Sequence, residues 1–311
     1  MFSFAKRAQK SGLLAVGVLP DRVQCARFAY DGALARLSFW HEEMASGGRG
    51  QVLLQLARGG GVKKSARCAT LLAPGDYRLL QTEAPAVPEE EVGEALRWQL
   101  RDQVDLPVET AVIDHLPLPD AGGGGRPRQV FAALAAEAVI APLVRDFQAA
   151  GLDLQVIDLP ELAQRNIAAL FETENRGLAF LAFGETSALL TFNYQGELFA
   201  LRRIEIGAAQ FAGASAERRD QLAERVVLEM QRSMDTVDRQ FSAISLSRLM
   251  LLLPPESGLE AHFANAFYLP FETADLATVL DLSCCPALLA PEMQRQALPV
   301  LGAALRREEA R

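Results

Sequence analysis

The chain has 311 residues, half of them hydrophobic, and 39 acidic against 31 basic side chains give a net charge of −8. That length accommodates two lobes at ~100 to 200 residues each, and the acidic balance excludes a global positive field that would draw it to nucleic acid or anionic lipid. The four cysteines, at 25, 68, 284 and 285, include one adjacent pair and no second pair at ligand spacing, which excludes a disulfide framework and makes zinc improbable.

The opening MFSFAKRAQKSGLLAVGVLP places positive charge before an apolar run, as a signal peptide does. That run spans about eight residues, stops at Pro20-Asp21 and lacks a small-residue cleavage site, so it reads as a buried strand. RVQCARFAY and ALARLSFWHEE follow as two more strands, joined at Asp31-Gly32, where both residues tolerate positive φ. A helix over GQVLLQLARG, ended by Gly59 to Gly61, and a strand in SARCATLLAPG complete the first group. Strand, hairpin, strand, helix, strand is the order of one half of an actin-like fold.

After Pro74-Gly75 come a strand and then a helix whose first turn carries Glu89, Glu90 and Glu91, where the helix dipole favours negative charge. Val92, Leu96 and Leu100 form its apolar stripe. TAVIDHLPLP and QVFAALAA are strands around the loop DAGGGGRPR, whose glycines lack the Lys-Ser/Thr helix start of a phosphate cradle. EAVIAPLVRDFQAAG reads as a helix stopped by Gly151, LDLQVIDLP as a strand, and ELAQRNIAALFE as a helix.

From RGLAFLAFGETSALLTFNYQGELFALRRIEIG the strand and hairpin texture of residues 13 to 40 recurs, with Gln195-Gly196 as the hairpin turn. A long helix from about Glu217 to Ile244 aligns Leu222, Val226, Met230, Met234, Val237, Phe241 and Ile244 on one face. The strand RLMLLLPP, a helix around GLEAHFANAF, the strand LPFET and an amphipathic, increasingly charged segment from Pro291 to Arg311 finish the chain. No ~18-residue apolar run occurs, so a soluble protein is expected. His41, His115 and His262 fall in unrelated elements and read as surface or packing residues.

PEEEVGEALRWQLRDQVDLPVETAVIDHLPLP, AAGLDLQVIDLPELAQRN and LEMQRSMDTVDRQF, in this order and spacing, resemble the PilM-like pilus assembly proteins, most closely the MshI group of the mannose-sensitive haemagglutinin (MSHA) pilus system. The resemblance spans nearly the whole chain. It implies an α/β, two-lobed, actin-like (ribonuclease H-like) fold related to FtsA. Residues 1–75 and 151–176 would form the first lobe, 76–150 a small inserted α+β subdomain, and 177–311 the second lobe.

Relatives that bind ATP hold its phosphates and magnesium on two glycine-bearing hairpins. In the first, the resemblance puts Gly17 where an Asp is expected and Leu19 where a Gly is, while Asp21 reads as a turn residue. In the second, LAFGETSALLTF keeps Gly184, Thr186 and Ser187 but has Ala182 for the Asp, and Glu185 would repel a phosphate. The late glycine pair is replaced by LLLPPESG, where Pro254 and Pro255 offer no amide donors and Gly258 can only shape a turn. Gly207 is expected to keep a scaffold turn. Gly184, Thr186, Ser187 and Gly207 are therefore the remaining nucleotide candidates, with neither ATP nor magnesium expected as a working cofactor.

The expected function is a non-catalytic cytoplasmic scaffold of a pilus assembly complex, docking the basic, hydrophobic cytoplasmic tail of a single-span PilN-like inner-membrane protein. Contact with the membrane would come only through that partner, with no nucleic acid involved. Docking is expected between the first lobe and the insert, near TAVIDHLPLP and the helix of Trp98, with Trp98 as anchor and Asp102 and Asp105 meeting basic residues. An active ATPase of this superfamily, and a relative of the type II secretion protein GspL, are the alternatives.

Overall fold

The computed structural model describes residues 12–45, 47–59, 62–63, 65–119 and 127–306. The signal-like start, the glycine run of the loop at 120–126 and the charged end at 307–311 lie outside them. Strands β1 (Leu14–Val18), β2 (Arg22–Ala29) and β3 (Ala35–Met44) form an antiparallel meander, and helix α1 (Arg49–Gly59) leads to β4 (Arg67–Leu71), parallel to β1. The β2–β3 hairpin is wider than Asp31-Gly32 suggests: neither residue has positive φ, and the Asp31 carboxylate instead accepts from Arg36 at 2.5 Å.

Strand β5 (Tyr77–Glu83), helix α2 (Val92–Gln99), β6 (Ala111–Pro117) and β7 (Gln129–Ala136) build a three-stranded antiparallel sheet in the order β5-β7-β6. The α2 stripe of Val92, Leu96 and Leu100 is buried against Val130, Ala132 and Leu134 on one face of that sheet. Helix α3 (Glu137–Ala149) then runs to Gly151 at φ +72, and β8 (Asp153–Asp158) pairs in parallel with β4. Leu143 and Phe147 of α3 pack with Leu53 and Leu56 of α1 and Val16 of β1. The element expected to close the insert at residue 150 thus sits in the core of the first lobe, and the inserted strands end at Ala136.

Helix α4 (Pro160–Ala168) precedes the second repeat: β9 (Gly177–Phe183), β10 (Ala188–Tyr194), β11 (Glu197–Ile204), helices α5 (Ala208–Phe211) and α6 (Ala216–Gln240), β12 (Leu246–Leu252), α7 (Leu259–Ala266) and β13 (Phe271–Thr273). Its order, β11-β10-β9-β12-β13, reproduces β3-β2-β1-β4-β8 of the first sheet. Gln195 and Gly196 take φ of 55° and 80°, the left-handed pair a tight hairpin needs. Helix α6 stops at Gln240, earlier than its apolar spacing indicated, because Phe241 turns out of helical geometry at ψ 46° while still burying its ring.

The chain then crosses back. Strand β14 (Leu280–Asp281) adds to β3 in parallel, and α8 (Pro291–Ala304) lies against α4 and strands β1, β2 and β4. Residues expected in the second lobe therefore complete the first. The physical reason is burial: Ala297, Leu298, Val300, Leu301, Ala303 and Ala304 are all buried, so α8 has apolar contacts nearly all round and not the single stripe of a surface helix. Helices α4 and α8 fill the space between the two sheets, contacting Ala15, Phe28 and Leu37 on one side and Leu178, Phe180 and Met250 on the other. The outer faces carry α1 and α3 on the first sheet and α6 and α7 on the second.

Candidate functional site

Two turns face each other where the lobes meet: the β1–β2 turn at residues 19–21 and the β9–β10 turn at 184–187. In the second turn Gly184 N–H donates to Ser187 O at 2.8 Å, which fixes the hairpin. Gly207 is pressed onto this turn, and a Cβ placed on it would lie 2.2 Å from Glu185 O. The neighbouring amides are spent on the same turn, Ala208 N–H donating to Gly184 O at 2.9 Å and Ala209 N–H to Glu185 O at 3.1 Å. The structure thus gathers Gly184, Thr186, Ser187 and Gly207 in one place, and glycine is required at 207 by close backbone approach.

Helix α8 reaches into the same junction. A Cβ at Gly17 would lie 2.5 Å from Cγ2 of the buried Val300, so the position expected to carry a metal-positioning carboxylate is packed by α8. One turn earlier on that helix, Arg295 is only 4% exposed and donates through Nη1 to Phe183 O at 2.8 Å. Its Nη2 reaches Glu185 Oε1 at 2.7 Å and Glu292 Oε1 at 2.5 Å. Burial opposes the Arg295 charge, but the hydrogen bonds to Glu292 and Glu185 outweigh it and hold the guanidinium protonated. The Arg295 hydrogen bond in turn pulls the Glu292 carboxyl below the usual range. Gln296 continues the chain, donating to Glu292 at 2.7 Å and accepting from Arg22 at 2.9 Å, while Arg22 also pairs with Asp21 at 2.8 Å.

An ion-paired network therefore runs from Asp21 on one turn to Glu185 on the other. Behind the second turn, Arg203 donates to the Ser187 hydroxyl at 3.3 Å and to buried Glu161 at 2.5 Å, whose other oxygen accepts from Tyr77 at 2.6 Å. Both carboxylates on the turns, Asp21 and Glu185, are ion-paired to an arginine that each shares with a second carboxylate, Glu42 at Arg22 and Glu292 at Arg295. The residues present do not fit a magnesium-bound triphosphate: the ligand position at Gly17 is filled, and the amides beside Gly207 bond to the opposing turn. Pro254 and Pro255 precede Gly258, which takes φ +73 and caps α7 as a turn glycine. Arg295, Glu161 and Arg203 escaped the sequence reading because each looks like a routine solvated charge until the lobes are brought together.

The docking candidates separate. The insert's sheet stands between α2 and the first lobe, since Val130, Ala132 and Leu134 of β7 face α2 while Ala133 and Ala135 face the α3 side. Trp98 therefore lies on the far side of the sheet from the first lobe. It is 66% exposed, with the Arg101 guanidinium 6.0 Å from its ring centroid, and Asp102 and Asp105 are exposed in the turns that follow. The edge strand β6 leaves Val112 46% exposed and Asp114 open to solvent. No helix among the described residues is long and apolar enough to cross a membrane.

No protein-family model and no curated protein matches the sequence. Solved structures do. The chain is similar to a component of a PilM–PilN type IV pilus biogenesis complex, with a TM-score of 0.74 at 19% identity over 96% of this chain and 98% of that one. A protein of unknown function with an actin-like ATPase fold, from Bacteroides thetaiotaomicron, aligns with a TM-score of 0.52 at 11% identity over 93% of this chain and 99% of that one. At these identities the likeness speaks to architecture, and with the repeated sheet order and the helices held between the sheets it identifies the chain as a two-lobed actin-like fold.

Proposed function

We propose that this protein is a non-catalytic scaffold of a type IV pilus assembly complex, of the MSHA type, that docks the basic, apolar cytoplasmic tail of a single-span PilN-like inner-membrane protein. It would work in the cytoplasm, held to the membrane by that partner. The observation that carries the non-catalytic reading is the packing of buried Val300 against Gly17, which fills the place a metal-bearing carboxylate would need. Transfer of a phosphoryl group depends almost wholly on positioned charge, so losing the metal-bearing carboxylate removes most of what the fold could contribute. The solved PilM–PilN complex supports the choice of partner.

Docking on the insert follows from its surface. An extended tail laid along the β6 edge would pair with free backbone groups, meet Val112 with an apolar side chain and Asp114 with a basic one. The exposure of Trp98 favours a second reading, in which the tail crosses α2 between Trp98, Asp102 and Asp105.

Fluorescence anisotropy with a synthetic peptide of the cytoplasmic tail of a PilN-like membrane protein decides between them. Val112→Asp should weaken binding at least tenfold on the first reading, and Trp98→Ala should do so on the second. If neither variant changes affinity, the insert is not the docking surface. Incubation with Mg-ATP should release no phosphate above a buffer control; micromolar affinity accompanied by release above that control would restore the ATPase alternative.

A further inference from the structure

On the outer side of the second lobe, the end of β11 and the middle of α6 enclose a cavity of about 380 Å³. Its lining is unusual for a chain of net charge −8, because four of the nine lining residues are arginines, 202, 203, 225 and 232, against the two glutamates 205 and 229. Arg203 is turned inward to Glu161. The other three converge from a strand and a helix. Glu229 accepts from Arg202 Nε at 3.1 Å and Nη2 at 2.6 Å, and from Arg232 Nη1 at 3.3 Å. The Arg202 hydrogen bond holds the Glu229 carboxyl below the usual range, so one carboxylate braces two guanidiniums.

Bracing leaves donors unspent. Arg202 Nη1 and the Nε and Nη2 groups of Arg232 make no bond to Glu229. Arg225 lies four residues before Glu229 and seven before Arg232, hence on the same helix face, and among the described residues it has no acidic partner. Three guanidiniums around one cavity suit a group with three terminal oxygens better than a single carboxylate, which one arginine fork already saturates. Leu228, 45% exposed, gives the same wall an apolar surface. The cavity is within the size range of small-molecule sites.

We propose that this cavity binds a phosphoryl group, carried either by a free phosphorylated small molecule or by an anionic phospholipid headgroup. Its lining comes from β11, the segment after it and α6, with no residue of the insert, so it stands or falls independently of tail docking. The probes are inorganic pyrophosphate in a calorimetric titration of the full chain, and sedimentation with vesicles of phosphatidylglycerol against phosphatidylcholine. The double variant Arg225→Gln with Arg232→Gln changes two exposed side chains, and Arg145→Gln, an exposed arginine of α3 on the first lobe, is the control for lost charge.

Pyrophosphate binding in ~0.1 M salt that falls at least tenfold in the double variant but not in Arg145→Gln supports a free ligand. Binding to phosphatidylglycerol vesicles that is lost in the same variant and competed by pyrophosphate supports a headgroup. Binding of neither probe, or binding unchanged in the double variant, overturns the proposal.

Discussion

Arg295 is buried to 4% exposure, yet its hydrogen bonds go to one main-chain carbonyl and two carboxylates, of which the Glu185 side chain is 61% exposed. Removing the guanidinium leaves the two glutamates able to turn to water, but Phe183 O has no such route. Arg295→Met should therefore destabilise by about 1–3 kcal/mol, the cost of one unsatisfied buried acceptor, and not by the larger penalty of an isolated buried charge. Urea unfolding of the variant checks this, and an unchanged midpoint would mean that the network is incidental. Asp158 is the opposite case. Its Oδ1 accepts from Leu159 N–H at 2.9 Å and Arg306 at 3.0 Å, but Oδ2 is buried without a partner, and burial raises its carboxyl above the ordinary 3.8 despite Arg306. A raised folded value means that the native state binds the proton more readily than the unfolded chain. The ionised form thus opposes folding, and this contribution to stability is lost as pH climbs above 3.8. Asp158→Asn should melt no lower than the parent at pH 7 and show a flatter pH dependence from there down to about pH 4; a marked loss of melting temperature at pH 7 would show that the Arg306 pair outweighs burial.

At the scale of elements, the fold depends on how closely α4 and α8 approach between the sheets. A Cβ on Gly302 would lie 2.1 Å from Ala163 O, and Asn166 Nδ2 donates to Gly302 O at 3.0 Å, so the two helices meet backbone to backbone. Gly302→Val would have to push them apart against both sheets at once. The expected cost is about 1–3 kcal/mol or more, seen as a lower urea midpoint with unchanged slope; a neutral outcome would mean that the crossing is loose. Much of the surrounding architecture was legible in the sequence. Gln195-Gly196 marked a hairpin, the α2 stripe marked a buried helix face, and the repeated strand texture marked two equivalent sheets, because each signal is local. The α4–α8 contact joins residues more than a hundred positions apart, and Gly302 reads as an ordinary small residue until both helices are placed. The wide β2–β3 loop was misread for a related reason: Asp-Gly permits a tight turn, but the bond from Arg36 to Asp31 favours another. At the candidate site, the lack of a carboxylate at Gly17 and Ala182 could be read from the sequence, whereas the side chains that tie the turns together come from α8, which the sequence assigned to the other lobe.

At the scale of the whole molecule, the six-stranded and five-stranded sheets of the two lobes share one inner core. That cluster includes Phe28 and Leu37 from the first sheet, Phe180 and Leu252 from the second, and Leu298 and Leu301 from α8, so no surface can be drawn that separates the lobes without exposing α8. Burying side chains such as Leu298, Val300 and Leu301 contributes about 1.5–3 kcal/mol each, and a marginally stable domain holds only ~5–15 kcal/mol in total. Deleting α8 therefore removes several large contributions at once and opens apolar faces on both sheets. It also withdraws Arg295 from the turn at Glu185 and leaves Asp158 without Arg306. A chain ended after Ala290 should lose cooperative unfolding of both lobes together: calorimetry would show no sharp transition, and the exposed inner faces would bind a hydrophobic dye. If the truncated chain instead kept a sharp transition from the second lobe alone, the lobes would be independent folding units, and the shared core would be a contact surface between them.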